Sequence, residues 1–106
     1  MNAKMNSCNL ESTNLIVADL RNTDLSNSSL KNSISISTLF ENANLQNANF
    51  EGANIEGADF RNANLSGADL STVSGIEKAK FEKAKFDVQT KWPIDFSAIE
   101  FGAEQK

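Results

Sequence analysis

The sequence predicts an all-β solenoid, in which each turn of the chain packs only against the turns beside it. A large apolar residue recurs every five positions from Leu10 to Leu70, interrupted only at Ser35. A small residue stands two positions before each of them, and the second position after most of them is Asn or Gly. After one extra residue near Val73 the series resumes at Ile76. A short fixed period is typical of repeat proteins, whose units bury their apolar faces only against one another.

The five-residue period excludes an α-helix. Five residues turn a helix by about 500°, so successive apolar residues would point in different directions and form no stripe. In a strand, residues two apart share a face, while the residue between them points to the other face. The small and the large residue of each repeat therefore point inward, and the Asn or Asp between them faces solvent. The same holds for residues 76–86, although their Glu, Lys and Ala content favours a helix by propensity alone.

A repeat with an odd number of residues requires a corner. The chain must turn in the last two positions of each repeat to bring the next inward pair onto the same side. Gly and Asn tolerate the positive φ angles of tight turns better than other residues. The predicted corner residues are Asn22, Asn27, Asn32, Asn42, Asn47, Gly52, Gly57, Asn62 and Gly67.

Over roughly residues 3–88, the repeats resemble those of the pentapeptide-repeat family. The runs Ala43–Asn47 and Ala58–Asn62 carry this resemblance, with the sequences ANLQN and ADFRN. The resemblance implies a right-handed quadrilateral β-helix with four repeats per coil, and therefore about four coils. The whole chain, residues 1–106, is then a single domain.

The end of the chain also resembles a known segment. From Phe86 onward the sequence FDVQTKWPIDF is similar to the tail of small cyanobacterial members of the family, which more usually have Tyr in place of Phe86 and Gly in place of Asp95. An open end of a β-solenoid exposes unpaired backbone and must be covered. We therefore expect residues 89–106 to form a C-terminal cap. Its candidate residues are Trp92, Pro93 and Phe96.

Charge patterning supports a coil of four repeats. In such a coil, residue n lies beside residue n+20, and opposite charges on neighbouring strands are favourable. The signs alternate along two such columns. These columns are Glu11, Lys31 and Glu51, and Arg21, Glu41, Arg61 and, after the extra residue, Glu82.

Composition argues against several classes of function. The 106 residues include 10 Lys and Arg against 14 Asp and Glu, and the net charge of −4 has the wrong sign for an electrostatic nucleic-acid binder. No apolar run approaches the length of a membrane span, and the first residues lack the apolar segment of a secretory signal, so we expect a cytoplasmic protein.

The residues that usually carry catalysis are also missing from the sequence. There is no histidine, which excludes the usual triads and imidazole metal sites, and no phosphate-binding loop. The single cysteine, Cys8, cannot form an internal disulfide and stands in the small-residue column. We therefore predict no catalytic, metal-binding or cofactor-binding residues and a protein that is not an enzyme.

One segment, SISIS, inverts the pattern. If the register is kept, Ser35 points inward while Ile34 and Ile36 face solvent, beside Ile16 and Val17 of the preceding coil. A contiguous exposed apolar patch of this kind is typical of a partner surface. Alternatively, the strand shifts locally and buries one isoleucine, which leaves no patch.

Two classes of function follow. The first is a non-catalytic module that binds another protein in a regulatory or scaffolding role, itself a monomer or weakly self-associating, with no nucleic acid or membrane partner. The second is protection of DNA gyrase by DNA mimicry, which the family resemblance implies for some members. Mimicry needs a long, strongly acidic face, whereas the charges here alternate in sign along a short rod. The first class is therefore favoured.

Overall fold

The computed structural model describes residues 3–106. The chain winds into a solenoid whose coils are joined by parallel β-bridges, one for each repeat. Each bridge up to Asn54–Ser74 joins residues 20 apart, so four repeats separate a residue from its neighbour in the next coil. Regular elements are short. They are the 3-10 helices Ile76–Lys78 and Ile99–Phe101 and the parallel strands β1 (Lys85–Phe86) and β2 (Glu104–Gln105).

Backbone hydrogen bonds alternate in direction within each repeat. The Asp24 N–H donates to the Ala3 carbonyl at 2.8 Å, and the Asp24 carbonyl accepts from the Met5 N–H at 2.7 Å, so Asp24 faces the first coil. The next residue, Leu25, donates its N–H to Asn44 of the third coil at 2.8 Å. Each repeat therefore bonds to the coil before it and to the coil after it.

The corners form as predicted. All nine predicted corner residues have positive φ, from 59° at Asn32 to 73° at Gly52. The outward Asn or Asp also supports the corner, because its side-chain oxygen accepts the N–H two residues later, as Asn44 Oδ1 does from Gln46 at 3.1 Å. This bond explains why Asn and Asp occupy the outward position, a preference that alternation alone does not explain.

The core consists of columns that run along the solenoid. Phe40, Phe60 and Phe81 stack with ring centroids 5.0 and 5.1 Å apart, and Phe50 meets the first two edge to face at 5.7 Å. All four rings are fully buried. The small-residue column adds hydrogen bonds between coils, since Thr38 Oγ1 donates to the Leu15 carbonyl at 2.7 Å. The predicted inward positions are therefore confirmed.

The extra residue expected near Val73 lies at Gly75, which has φ of 77°. A Cβ atom at Gly75 would lie 2.7 to 2.8 Å from Glu56, including its backbone, so only glycine fits. The 3-10 helix Ile76–Lys78 then turns Ile76 back into the core. Later bridges accordingly join residues 21 or 22 apart.

The C-terminal end of the solenoid is covered. Trp92 follows Lys91, which bridges to Asp69, and its indole ring meets Phe81 and Phe86 edge to face at 5.4 and 5.6 Å. Phe96 packs against Phe81 at 5.8 Å, and Pro93 is half-buried. Strand β2 pairs with β1 and so continues the backbone ladder by one step.

At Val17 the corner geometry is strained. This valine has φ of 51°, a left-handed conformation that is unfavourable for β-branched residues. The equivalent positions in the next two coils are Ser37 and Gly57. We predict that Val17→Asn raises the free energy of unfolding by about 1 kcal/mol, measured by thermal melting. Val88→Asn is the control, since Val88 is also exposed but has no positive φ, and equal gains at both sites would contradict the strain.

A second prediction concerns the core. Phe50→Ala should lower the free energy of unfolding by about 3–5 kcal/mol, because it empties a fully buried ring site. Glu51→Ala should cost less than about 1 kcal/mol, because Glu51 is exposed and its ion pair with Lys31 is long, at 3.7 Å. Similar melting curves for the two variants would show that the assignment of inward and outward positions is wrong.

A third prediction concerns the covered end. Deleting residues 89–106 removes Trp92, Phe96 and β2 and should expose Phe81, Phe86 and the backbone edge. The truncated chain should melt at a lower temperature and aggregate, as measured by light scattering. A truncated chain that stays monomeric and equally stable would show that the tail contributes nothing to the fold.

Candidate interaction surface

The most apolar part of the described side walls lies on the first two coils. Ile16, Val17 and Ile34 are 45 %, 68 % and 41 % exposed, and Ile36 is half-buried between them and the core. The coils are in direct contact here, because the Val17 N–H donates to the Ile36 carbonyl at 3.1 Å. We call these four residues the side patch.

The chain keeps its register through the side patch. Ile34 bridges to Asn14 on one side and to Asn54 on the other, so it occupies the outward position of a normal repeat. Ser35 is fully buried, and its Oγ lies 2.8 Å from Ser33 Oγ. The local shift considered as an alternative therefore does not occur.

Three features of the side patch work against the stability of the fold. Isoleucine is outside and serine inside, whereas the other repeats from Leu10 to Leu70 place a large apolar residue inside. Ser35 therefore forgoes the roughly 1.5–3 kcal/mol that a buried large apolar side chain contributes. At the equivalent position of the first coil, Asn14 Oδ1 accepts a hydrogen bond from the Ile16 N–H at 3.1 Å. The side chain of Ile34 has no oxygen and cannot accept such a bond. Val17 adds its left-handed backbone. Departures from local rules that concentrate on one surface are typical of functional sites.

On another wall of the solenoid, two arginines each bind an aspartate of the same repeat. Arg21 donates two hydrogen bonds of 2.8 Å to Asp19, which lower the pKa of Asp19 to about 2. Arg61 binds Asp59 in the same way at 2.7 to 3.1 Å. Although burial opposes its ionisation, the hydrogen bonds from Arg61 keep the pKa of Asp59 below its usual value.

These ion pairs differ from the pairing expected along the two predicted columns of alternating charge. Within residues 3–106, Lys31 and Glu51 form the one ion pair between neighbours in either column, at 3.7 Å. Arg21 and Arg61 instead bind the aspartate two residues earlier in the same repeat, because the corner brings the two side chains together. The sequence does contain a signal for this pairing, since Asp-Leu-Arg and Asp-Phe-Arg recur at residues 19–21 and 59–61.

The tail carries a second apolar region that the sequence pattern did not predict. A shallow groove runs between the 3-10 helix Ile76–Lys78 and the tail, lined by Val73, Pro93, Phe96 and Phe101. Ile94 also lines this groove and is 92 % exposed. The tail has no periodic pattern from which the groove could have been found.

The candidate cap residues and Cys8 have definite places. Trp92 and Phe96 pack on the last phenylalanines of the core, with Pro93 between them. Cys8 is half-buried in the first coil, and its N–H donates to Ser28 Oγ at 3.0 Å.

Across the described part of the chain, no three His, Cys, Asp or Glu side chains are grouped to hold a metal ion. No helix within residues 3–106 is long and apolar enough to cross a membrane.

Comparison with solved structures supports the fold. A pentapeptide repeat protein from Nostoc PCC 7120 is 29 % identical over 92 % of this chain and 84 % of that one, with a TM-score of 0.50. A pentapeptide repeat protein of the Arabidopsis thaliana thylakoid lumen is 22 % identical over 87 % of this chain, with a TM-score of 0.63. The plasmid-mediated fluoroquinolone resistance protein QnrB1 is 19 % identical over 94 % of this chain, with a TM-score of 0.70.

The chain spans 59 % of the Arabidopsis protein and 58 % of QnrB1. Comparison with curated proteins gives no match. The family model for pentapeptide repeats matches eight copies, over residues 2–34 and 38–73. Together with the solved structures, this match implies a right-handed β-helix. This chain therefore belongs to the pentapeptide-repeat family.

Proposed function

We propose that this protein is a non-catalytic interaction module, a quadrilateral β-helix of about four coils, that binds another protein through the side patch. The observation that carries the proposal lies in one repeat of the second coil. There the outward residue, Ile34, is apolar and exposed, and the inward residue, Ser35, is polar and buried. This reversal removes apolar area from the core and adds it to the surface. Such an exchange is unfavourable for an isolated molecule and becomes favourable when a partner covers the patch.

The chemistry of the side patch indicates an apolar partner surface. Ile16, Val17 and Ile34 offer branched aliphatic side chains with no charge among them. The nearest charged residue in the third coil, Glu56, already lies 3.5 Å from Lys78. The partner surface should therefore be apolar at its centre, with polar groups at its rim, as in other protein interfaces.

Protection of DNA gyrase is the alternative function. The likeness to QnrB1 supports a common fold, and the activity in its name comes to this chain only as a hypothesis. DNA mimicry requires a face of unpaired acidic groups. Here Asp19 and Asp59 are neutralised by arginines, and Glu51 and Glu56 lie beside lysines. We expect no protection of supercoiling activity in the presence of a quinolone, and clear protection would favour the alternative.

A paired substitution tests the side patch. We predict that Ile16→Ser combined with Ile34→Ser leaves the free energy of unfolding within about 1 kcal/mol of the parent, because both side chains are exposed. The amount of partner captured from a lysate of the source cells should fall about tenfold, as expected for residues at the centre of an interface.

Ile94→Ser is the matched control, since it makes the same chemical change at an exposed site on the tail. It should leave both stability and capture unchanged. Equal capture by the parent and the paired variant would overturn the proposed role of the side patch. A large loss of stability in the paired variant would instead show that these isoleucines support the core.

A further inference from the structure

The groove beside the tail lies where the chain leaves the repeat pattern on both sides. One wall is the 3-10 helix Ile76–Lys78, which follows the extra residue at Gly75. The other wall is the tail, in which the Phe96 N–H closes a turn by donating to the Pro93 carbonyl at 3.2 Å, ahead of the 3-10 helix Ile99–Phe101. We call the space between these walls, about 490 Å³, the tail groove.

Much of the lining of the tail groove is apolar. The rings of Phe96 and Phe101 contact each other with centroids 4.7 Å apart, and both residues are only half-buried. Val73 and Pro93 are half-buried beside them, and the side chain of Ile94 is almost fully exposed. Exposed apolar side chains gathered in one groove are typical of a binding surface.

Acidic side chains stand on both walls of the tail groove. Glu77 lies on the wall formed by Ile76–Lys78, and Asp95 and Glu100 lie on the tail, all three exposed. No Lys or Arg is among the lining residues. Within residues 3–106, none of the three carboxylates forms an ion pair, and Lys78, next to Glu77, lies instead 3.5 Å from Glu56. The cations of the described chain therefore leave the acidic groups of the tail groove without an ion-pair partner.

We propose that the tail groove binds a short segment of another protein in which Lys or Arg side chains alternate with apolar ones. The apolar side chains of the segment cover Ile94 and the two phenylalanine rings, and its cations lie beside the three carboxylates. Opposite charges across an interface favour the matching partner and exclude others. The side patch has no charge among its exposed residues, so the two surfaces suit partners of different chemistry, and this inference goes beyond the role proposed for the side patch.

The shape of the tail groove favours a polypeptide segment over a small molecule. Small-molecule sites enclose roughly 70–90 % of the ligand surface, which a shallow groove does not do. Five extended residues span about 17 Å, and the molecule is 21 to 23 Å across its shorter axes, so such a segment fits on this face. Alternate side chains of an extended segment point to opposite sides. The apolar ones can therefore enter the groove while the long cationic ones reach its acidic rim.

A peptide titration followed by NMR tests the proposal. The probe is the peptide Lys-Leu-Lys-Leu-Lys with both ends blocked, added to the isotopically labelled full chain. Backbone amide signals of residues 75–78 and 94–101 should shift, and those of the side patch should not. Replacing the lysines of the peptide by Glu, or its leucines by Ser, should abolish the shifts. Added salt should weaken binding of the original peptide, because the charged contacts are exposed.

Substitutions in the chain separate the charged from the apolar contribution. Glu77→Gln combined with Glu100→Gln should weaken peptide binding about fivefold and reduce its salt dependence, since two rim charges are lost at constant side-chain size. Ile94→Ser should weaken binding about fivefold while the salt dependence stays, because an apolar contact is lost. Glu51→Gln is the matched control, an exposed glutamate of the third coil, and should leave the affinity unchanged.

Three results would overturn the proposal. The first is the absence of shifts at millimolar peptide. The second is an equal loss of affinity in Glu51→Gln and in the rim variant, which would show only diffuse attraction of the peptide to a chain of net charge −4. The third is a set of shifts in the tail groove that depends on protein concentration without peptide, which would assign the groove to a second copy.

The same titration keeps this inference separate from the role proposed for the side patch. Ile16→Ser combined with Ile34→Ser should leave peptide binding unchanged while it lowers capture of the side-patch partner. Ile94→Ser should have the opposite pair of effects. Loss of peptide binding in the Ile16 and Ile34 variant alone would place the peptide on the side patch and overturn the role of the tail groove.

Discussion

The left-handed corner that recurs every five residues from Ser7 to Gly67 is the constraint on which this structure depends. A strand of three residues presents two side chains to the core, and without a corner the next pair would point outward. Positive φ at residues such as Asn22 and Gly52 turns the chain and restores the inward direction. The columns of the core, the coil-to-coil hydrogen bonds and the polar outer walls all follow from that repeated turn.

At two corners, glycine makes room for the asparagine side chain of the coil before it. A Cβ atom at Gly52 would lie 2.2 Å from Asn32 Oδ1, and one at Gly67 would lie 2.1 Å from Asn47 Oδ1. The amide of the lower corner therefore occupies the space that a side chain above it would need. Asn22 and Asn42 show that two asparagines can also follow each other in neighbouring coils. Corner residues are thus coupled along the rod as well as along the chain.

Local periodicity determines most of this fold, which is why the sequence predicts it well. The inward column containing Phe40 and Phe60, the corner asparagines and the 20-residue register all follow from spacing. The pairing of Arg21 with Asp19 was not predicted, because reach within a corner decides it, and spacing between coils does not. The place of the extra residue at Gly75 depends on a close approach to Glu56 that only coordinates reveal.

The side patch was predictable for the same reason, since a retained register places Ile34 outside and Ser35 inside. The backbone strain at Val17 was not predictable, because the sequence does not show whether a corner occupied by valine keeps the left-handed backbone. The path of the tail lay beyond periodicity altogether. Lys91 continues the ladder from Asp69, and β2 returns to pair with β1, although the chain between β1 and β2 contains no repeats.

The proposed binding surface, the side patch, includes part of the first coil, which is the least buried coil of the solenoid. From the second coil to Leu70 the inward large apolar residues are fully buried, whereas Met5, Leu10, Leu15 and Leu20 in the first coil are partly exposed. Segments with fewer buried contacts open more easily than the core. The side patch includes Ile16 and Val17 of this coil, so a partner bound there also holds the coil against the rest of the solenoid.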